Sequence, residues 1–273
     1  METSGLPLAE LRRRVEAARG ARRRRLLAAL RADRRIGARL LAEAQTRVAR
    51  ARSADARRVG RLLGRRRALF AAGARTVAGL DEVGVGPLAG PVVAAAVVLP
   101  ERIDLPGLDD SKRLAPAARE RLAAAIRAQA LAVALAEVSP AEIDAQDVLR
   151  AAQEAMRRAV AALPVLPDHA LVDGRPVPGL GCPQTAIVGG DARDASIAAA
   201  SIVAKVHRDA LMRELDRAHP GYGLALHKGY PTAAHLAALR RLGPSPVHRR
   251  TFAPVAELLA SPSAPREAER IPR

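Results

Sequence analysis

Ala78-Gly79-Leu80-Asp81-Glu82-Val83-Gly84-Val85-Gly86-Pro87-Leu88-Ala89-Gly90-Pro91-Val92-Val93-Ala94-Ala95-Ala96-Val97 is the stretch on which the fold turns. From Val83 to Pro100 it carries no charge, which raises the question of a membrane span. Gly84, Gly86 and Gly90 with Pro87 and Pro91 would break a single helix there, and Asp81 and Glu82 abut the run. Two buried strands joined by a Gly/Pro turn fit better, over 76–83 and 92–99. The reading is a chain without a membrane span.

Working outward, 116–128 and 140–163 read as helices with Pro at or near each start, and 131–137 lies between them as a short strand. Residues 170–172 and 186–188 are short apolar runs bounded by Asp and Gly, again strand-like. A long helix follows over 196–219, with small residues on its first turns, and another over 232–242. Strands first, then strands mixed with helices, predict an α/β domain with a mixed sheet. On the N-terminal side, Leu8, Leu11, Val15, then Leu26, Leu27, Leu30, then Ile36, Leu40, Leu41 keep helical spacing. Gly20, Gly37, Ser53 and Gly60 are the expected breaks, giving two or three helices that end near Gly73. The expected organisation is a basic helical extension over 1–72, a catalytic domain over 73–256 and a tail over 257–273.

Charge is divided along the same lines. The 273 residues hold 45 Lys+Arg against 28 Asp+Glu, a net +17, yet residues 1–78 carry 22 Arg and only 6 acids. A nearly neutral body thus bears a cationic segment suited to a polyanion such as a nucleic-acid backbone, or merely to a solvated helical surface. With 1% aromatics and no Trp, rows of stacking rings for single strands are excluded. One cysteine excludes a disulfide framework and a Cys-based zinc site. Leu6 to Leu11 is too short for a secretory apolar segment and runs into Arg12-Arg13-Arg14, so a reduced, cytoplasmic protein is expected. Only Lys112, Lys205 and Lys228 depart from the use of Arg for every other basic group. Lys is a mobile point charge where Arg is a planar fork, so these exceptions point toward placed charges.

The strands repeatedly end in acids: Asp81-Glu82, then Asp173-Gly174, then Gly189-Gly190-Asp191. Carboxylates at the ends of adjacent strands can converge, and like charges at close range need a cation between them. Hard oxygen donors without thiolate suit Mg²⁺ or Mn²⁺. The alternative is that each Asp caps the turn after its strand.

At these residues the chain resembles bacterial ribonuclease HII. The resemblance is carried by the opening stretch, by Asp110-Ser111-Lys112, by Leu171-Val172-Asp173-Gly174, by the run from Ser196 to Val206, and by His227-Lys228-Gly229-Tyr230. It covers about Gly79 to Val255 in order. It implies a ribonuclease H-like fold, a mixed sheet flanked by helices. It also implies cleavage of the RNA strand of RNA–DNA hybrids and of DNA at embedded ribonucleotides, with Mn²⁺ or Mg²⁺. The implied mechanism uses two ions and leaves 3′-OH and 5′-phosphate ends. The family's metal-binding and catalytic carboxylates fall on Asp81, Glu82, Asp173 and Asp191. Its substrate contacts fall on Gly84, Val85, Gly86, Ser111, Lys112, Lys228 and Tyr230. Asp209 reads as structural and paired with a basic group, and His227 and His248 as structural or phosphate-facing. A monomer acting on these duplexes is implied.

Three positions depart from the family pattern. Val85 stands where the family has Arg in Gly-Arg-Gly, Gly189-Gly190-Asp191 where Lys-Gly-Asp is common, and Asp147 where Asn is common. The first removes a cation associated with reading the ribo-to-deoxyribo junction, so a hybrid-cleaving enzyme with weak junction preference is the alternative. A non-catalytic duplex binder on the same fold, or an Arg-rich ribosome-associated factor, would leave the acidic motifs unexplained.

Overall fold

The computed structural model describes residues 5–260; of the tail expected over 257–273, the residues from 261 onward lie outside the described residues. The chain forms two compact units, Met1–Gly60 and Arg61–Arg273. In the first, α1 (Leu8–Ala17), α2 (Gly20–Arg31) and the start of α3 (Ile36–Leu62) enclose Leu11, Val15, Leu26, Leu30, Ala38, Leu41 and Ala42. These recur at three- and four-residue spacing, so one face of each helix is apolar and most arginines are left in solvent. The breaks expected at Ser53 and Gly60 do not occur: α3 runs through both. Ala and Arg around them are good helix formers, and a lone Gly costs only about 1 kcal/mol.

The second unit opens with α4 (Gly64–Ala71). Buried Arg66 donates to the carbonyls of Leu99, Pro100 and Glu101 at 3.0, 2.6 and 3.1 Å, with its guanidinium 5.2 Å from the Phe70 ring centre. The sheet is built from β1 (Val77–Val83), β2 (Val92–Val98), β3 (Ala132–Val138), β4 (His169–Asp173) and β5 (Gln184–Ile187) in the order β3-β2-β1-β4-β5. β1 pairs antiparallel with β2 and parallel with β4; β2–β3 is antiparallel and β4–β5 parallel. The mixed sheet expected from the element order is therefore observed, with the Gly/Pro segment joining β1 and β2 as a loop.

Helix α5 (Pro116–Gln129) precedes β3. The single helix expected over 140–163 is two, α6 (Pro140–Asp144) and α7 (Val148–Ala161). Asp147 causes the division, its carboxylate accepting the N–H groups of Leu149 and Arg150 at 2.9 Å each as the cap of α7. Short helix α9 (Leu224–His227) and α11 (Ala253–Ala260) were not expected; α8 (Ala195–Ala218) and α10 (Ala233–Leu242) were. α11 crosses the expected boundary of the tail.

β1 is buried on both faces, as a central strand must be. Ala78 and Leu80 pack with Val92, Ala94 and Ala96 against Ala151, Ala155 and Met156 of α7. The alternate residues, Val77, Gly79 and Asp81, turn toward α8. A Cβ built on Gly79 would stand 2.0 Å from the Ser196 carbonyl carbon, so strand and helix meet backbone to backbone. Ala195, Ser196, Ala198, Ala199, Ala200 and Ser201, all buried, allow α8 to lie that close.

Gly79→Ala has no space to relax into, because its neighbour is main chain. It is expected to cost about 3 kcal/mol or more or to prevent folding. Gly60→Ala meets nothing within 4 Å in a helix interior and is expected to stabilise by about 0.5–1 kcal/mol. Urea unfolding of both variants checks the pair.

Candidate active site

The β1–β4 register sets Leu80 beside Val172 and so carries the C-terminal ends of both strands, with Asp81, Glu82 and Asp173, to one edge of the sheet. β5 ends opposite Asp173, and the tight turn Gly190–Ala192 that follows brings in Asp191. Asp173 accepts the Gly190 N–H at 2.6 Å, which ties the two acidic segments together. Asp81 and Asp191 are buried, Glu82 and Asp173 partly so. All four expected carboxylates are thus brought to one place.

Asp81 faces α8, where the nearby Ser201 hydroxyl favours its ionised form, and its Oδ1 accepts the Glu82 N–H at 2.8 Å. Ser201 Oγ lies 2.9 Å from Ser111 Oγ, a hydrogen bond in which either hydroxyl can donate. Ser111, expected at the substrate, is buried and bonded to Ser201 on the α8 side of Asp81. Ser201 was not nominated from sequence, although it lies in the motif that opens α8. Its position follows from geometry: two strand residues beyond Gly79 and five helix residues beyond Ser196 both advance about 7 Å.

Burial pushes the Asp81 carboxyl well up from the usual range, and Glu82, Asp173 and Asp191 push it further while Ser201 opposes them. Glu82 is raised by burial and then by Asp173, against the field of Lys112. Asp173 is raised by burial and by Asp191, against the Gly190 N–H. Lys112 Nζ lies 3.1 Å from Asp191 Oδ2. Burial lowers that ammonium, but the bond to Asp191 and the surrounding acids outweigh it, and its pKa is raised. The acids thus hold more negative charge than their one lysine balances, with oxygen donors only. That donor chemistry fits a hard divalent cation. Among the described residues no three acid, His or Cys side chains stand close enough to grip an ion as they are, so binding one entails side-chain rotation.

A second group lies downstream of Glu82. Tyr230, 42% exposed, has its ring 3.7 Å from the Cβ position of exposed Gly86. Half-buried Val85 lies between Gly86 and buried Gly84, whose φ of +95° only glycine adopts readily. A Cβ on Gly84 would lie 2.3 Å from Arg208 Nε and 2.8 Å from the Pro91 carbonyl oxygen, so Gly84 is a packing position rather than an open contact. Leu88 N–H donates to the Gly229 carbonyl at 2.8 Å, joining this loop to Lys228-Gly229-Tyr230. Lys228 Nζ donates to the Ala225 carbonyl at 2.6 Å. Asp209 pairs with Arg119 at 3.2 Å and Lys205 at 2.6 Å, the structural role expected of it.

Three histidines brace that loop. His248 Nδ1 accepts from Ser245 N–H at 3.1 Å, so its Nε2–H points to His235 Nε2, 3.1 Å away. His235 Nδ1 in turn donates to the Tyr230 carbonyl at 2.9 Å. His227 Nδ1 accepts from Gly229 N–H at 3.2 Å and its Nε2 donates to the Tyr222 carbonyl at 2.8 Å, while its ring stacks on His235 with centroids 4.2 Å apart. The network is complete with neutral rings, and burial followed by the charge of His235 pushes His248 down to about 4. His227 and His248 are structural, one of the two roles expected for them.

A mixed β3-β2-β1-β4-β5 sheet flanked by helices, with carboxylates at its strand ends, is the architecture of the ribonuclease H-like fold. The family model "Ribonuclease HII" matches residues 78–255, and the chain belongs to the ribonuclease HII family, endonucleases acting on RNA–DNA hybrids. It is 56% identical over 193 residues to Ribonuclease HII of Geobacillus kaustophilus, covering 71% of this chain and 74% of the relative. Against that of Myxococcus xanthus it is 51% identical over 239 residues, 87% of this chain and 82% of the relative. The crystal structure of the ribonuclease H2 from Pyrococcus horikoshii superposes with a TM-score of 0.58 at 28% identity, covering 67% of this chain and 96% of that one.

Two outcomes follow. Asp81→Asn keeps the shape of the side chain and an oxygen acceptor for the Glu82 N–H and removes one charge. Because the folded Asp81 pKa is raised, ionisation above it costs stability. The variant is therefore expected to melt several degrees higher than wild type at pH 7 without divalent ions, while losing Mn²⁺ affinity in calorimetric titration. The histidines act with the opposite sign. With His248 depressed to about 4 when folded, its stabilisation is complete above the ordinary pKa of 6.5 and is lost as pH falls toward 4. The loss is on the order of 3 kcal/mol. His248→Gln should remove that part of the acid slope in urea unfolding between pH 7 and 4.

Proposed function

We propose that this chain cuts the RNA strand of RNA–DNA hybrids and also DNA at single embedded ribonucleotides, in the cytoplasm and as a monomer. The observation that carries the reading is the convergence of Asp81, Glu82, Asp173 and Asp191, each raised acid held up in part by its acidic neighbours. These four would hold Mn²⁺ or Mg²⁺, and two such ions supply an activated water and charge neutralisation at the leaving oxygen. The chain's own part is positioning. The Glu82 N–H holds the Asp81 carboxylate beside Ser201, and the Gly190 N–H fixes Asp173. Lys112, largely exposed beside Asp191, is placed to meet a phosphate at the acids. Tyr230 and the Gly86 backbone form a face for a sugar, where the 2′-hydroxyl distinguishes ribose from deoxyribose. In-line displacement at phosphorus would leave 3′-OH and 5′-phosphate ends.

A second reading within this chemistry, a broad hybrid-cleaving enzyme with weak junction preference, is favoured by one observation. Val85 offers no cation, and the arginine beneath it, Arg249, is buried. Labelled duplexes with one ribonucleotide, four ribonucleotides or a full RNA strand separate the readings. Wild type is expected to cut all three with Mn²⁺ and Asp81→Asn none; cleavage of the full hybrid alone would leave only the second reading.

The basic N-terminal helices are proposed to hold duplex phosphates. Deleting residues 1–60, which spares α4 and Arg66, is expected to weaken duplex binding. The slope of log affinity against log salt should flatten by about one unit for each phosphate that the helices neutralise. An unchanged slope in a fluorescence-anisotropy titration would refute the clamp.

A further inference from the structure

Beside Arg66, Arg208 and Arg249 are fully buried, and each of these two spends its guanidinium on main-chain carbonyls of the loop that follows β1 and its neighbours. Arg208 donates to Pro91 at 3.0 Å, Ala89 at 3.2 Å and Lys228 at 3.1 Å. Arg249 donates to Val85 at 2.9 Å, to Gly84, and through two nitrogens to Gly90 at 3.1 and 2.8 Å. Burying a cation is costly unless its donors are met, so seven bonds to one loop system make the loop's shape depend on the two guanidinium forks. A side chain without the planar fork cannot bridge Gly84, Val85 and Gly90 together.

The consequence lies on the other side of the loop. In a trans peptide the carbonyl of one residue and the N–H of the next point in opposite directions. The Gly84 and Val85 carbonyls both turn inward to Arg249, so the N–H groups of Val85 and Gly86 both turn away from it. Neither N–H has a protein partner among the described residues, and Gly86 is exposed. Backbone donors rarely stay unpaired unless water or a ligand meets them. They lie three and four residues beyond Glu82 and beside the Tyr230 ring.

We propose that Arg249 is a positioning residue that sets ribose selectivity: by gripping the Gly84 and Val85 carbonyls from beneath, it aims the Val85 and Gly86 amides at an oxygen acceptor on the substrate sugar. This rests on the proposed action at embedded ribonucleotides. In this chain the device matters more because Val85 has no polar side chain of its own to read the sugar, leaving the main chain to do it.

The test measures binding of duplexes containing one ribonucleotide and of all-DNA duplexes, with Ca²⁺ as the cation, for wild type, Arg249→Lys, Gly86→Pro and the double variant. Gly86→Ala, whose Cβ meets Tyr230 at an ordinary 3.7 Å, keeps the N–H and serves as the comparison for Gly86→Pro. Wild type is expected to prefer the ribonucleotide duplex. Arg249→Lys should reduce that preference tenfold or more while Mn²⁺ affinity by calorimetry and the folded circular-dichroism spectrum stay within twofold and unchanged. Gly86→Pro should do the same, and the double variant no more than either alone. Additive losses, an unchanged preference in Arg249→Lys, or a fall in Mn²⁺ affinity matching the fall in preference would overturn the proposal. Absence of any preference in wild type would instead overturn the reading on which it rests.

Discussion

The contact between Gly79 and the Ser196 backbone is the constraint from which the rest of the site follows. With no side chain between them, β1 and α8 share one plane of closest approach, and their relative rise is fixed. Asp81 must then face Ser201, and Ser201 must face the short turn that carries Ser111 and Lys112. The parallel pairing of β1 with β4 adds Asp173, and the turn after β5 adds Asp191. A buried carboxylate is thereby held against three others by packing that is almost wholly alanine, glycine and serine. Stability from the apolar layers below keeps the like charges together, and their repulsion is what gives the site its demand for a cation.

Much of this was legible because the signals were local. The Gly/Pro-rich run could be nothing but two strands and a loop, and acids at three strand ends announced a common edge. Asp147 is visible in the sequence as a departure from a pattern, when its role is to cap α7 and divide 140–163 into two helices. Ser53 and Gly60 resemble breaks because their propensities are poor singly, while α3 is decided by the residues around them. Ser111 stands in the motif that also holds Lys112, yet the turn sends one side chain inward to Ser201 and the other out to solvent. Nothing local could single out Arg208 and Arg249. In a chain that uses Arg for nearly every cation, burial is a tertiary fact with no compositional mark.

The molecule separates its charges by task. The N-terminal unit carries most of the excess positive charge on helices that bury only a narrow apolar face. From β1 onward the chain is close to neutral, with its acids at one edge of the sheet, Arg208 and Arg249 buried under the loop that follows β1, and its neutral histidines under Tyr230. On the proposed function, long-range attraction to a duplex, grip on cations and shape of the loop offered to the sugar are carried by different residues. A change in one is expected to leave the others in place.

The most direct test of the account is where a divalent ion sits. Anomalous scattering from crystals of the protein soaked with Mn²⁺ and a duplex bearing one ribonucleotide should show manganese bounded by carboxylate oxygens of Asp81, Glu82, Asp173 and Asp191, next to the phosphate at the ribonucleotide. Manganese found elsewhere, or none at these four residues at saturating concentration, would contradict it.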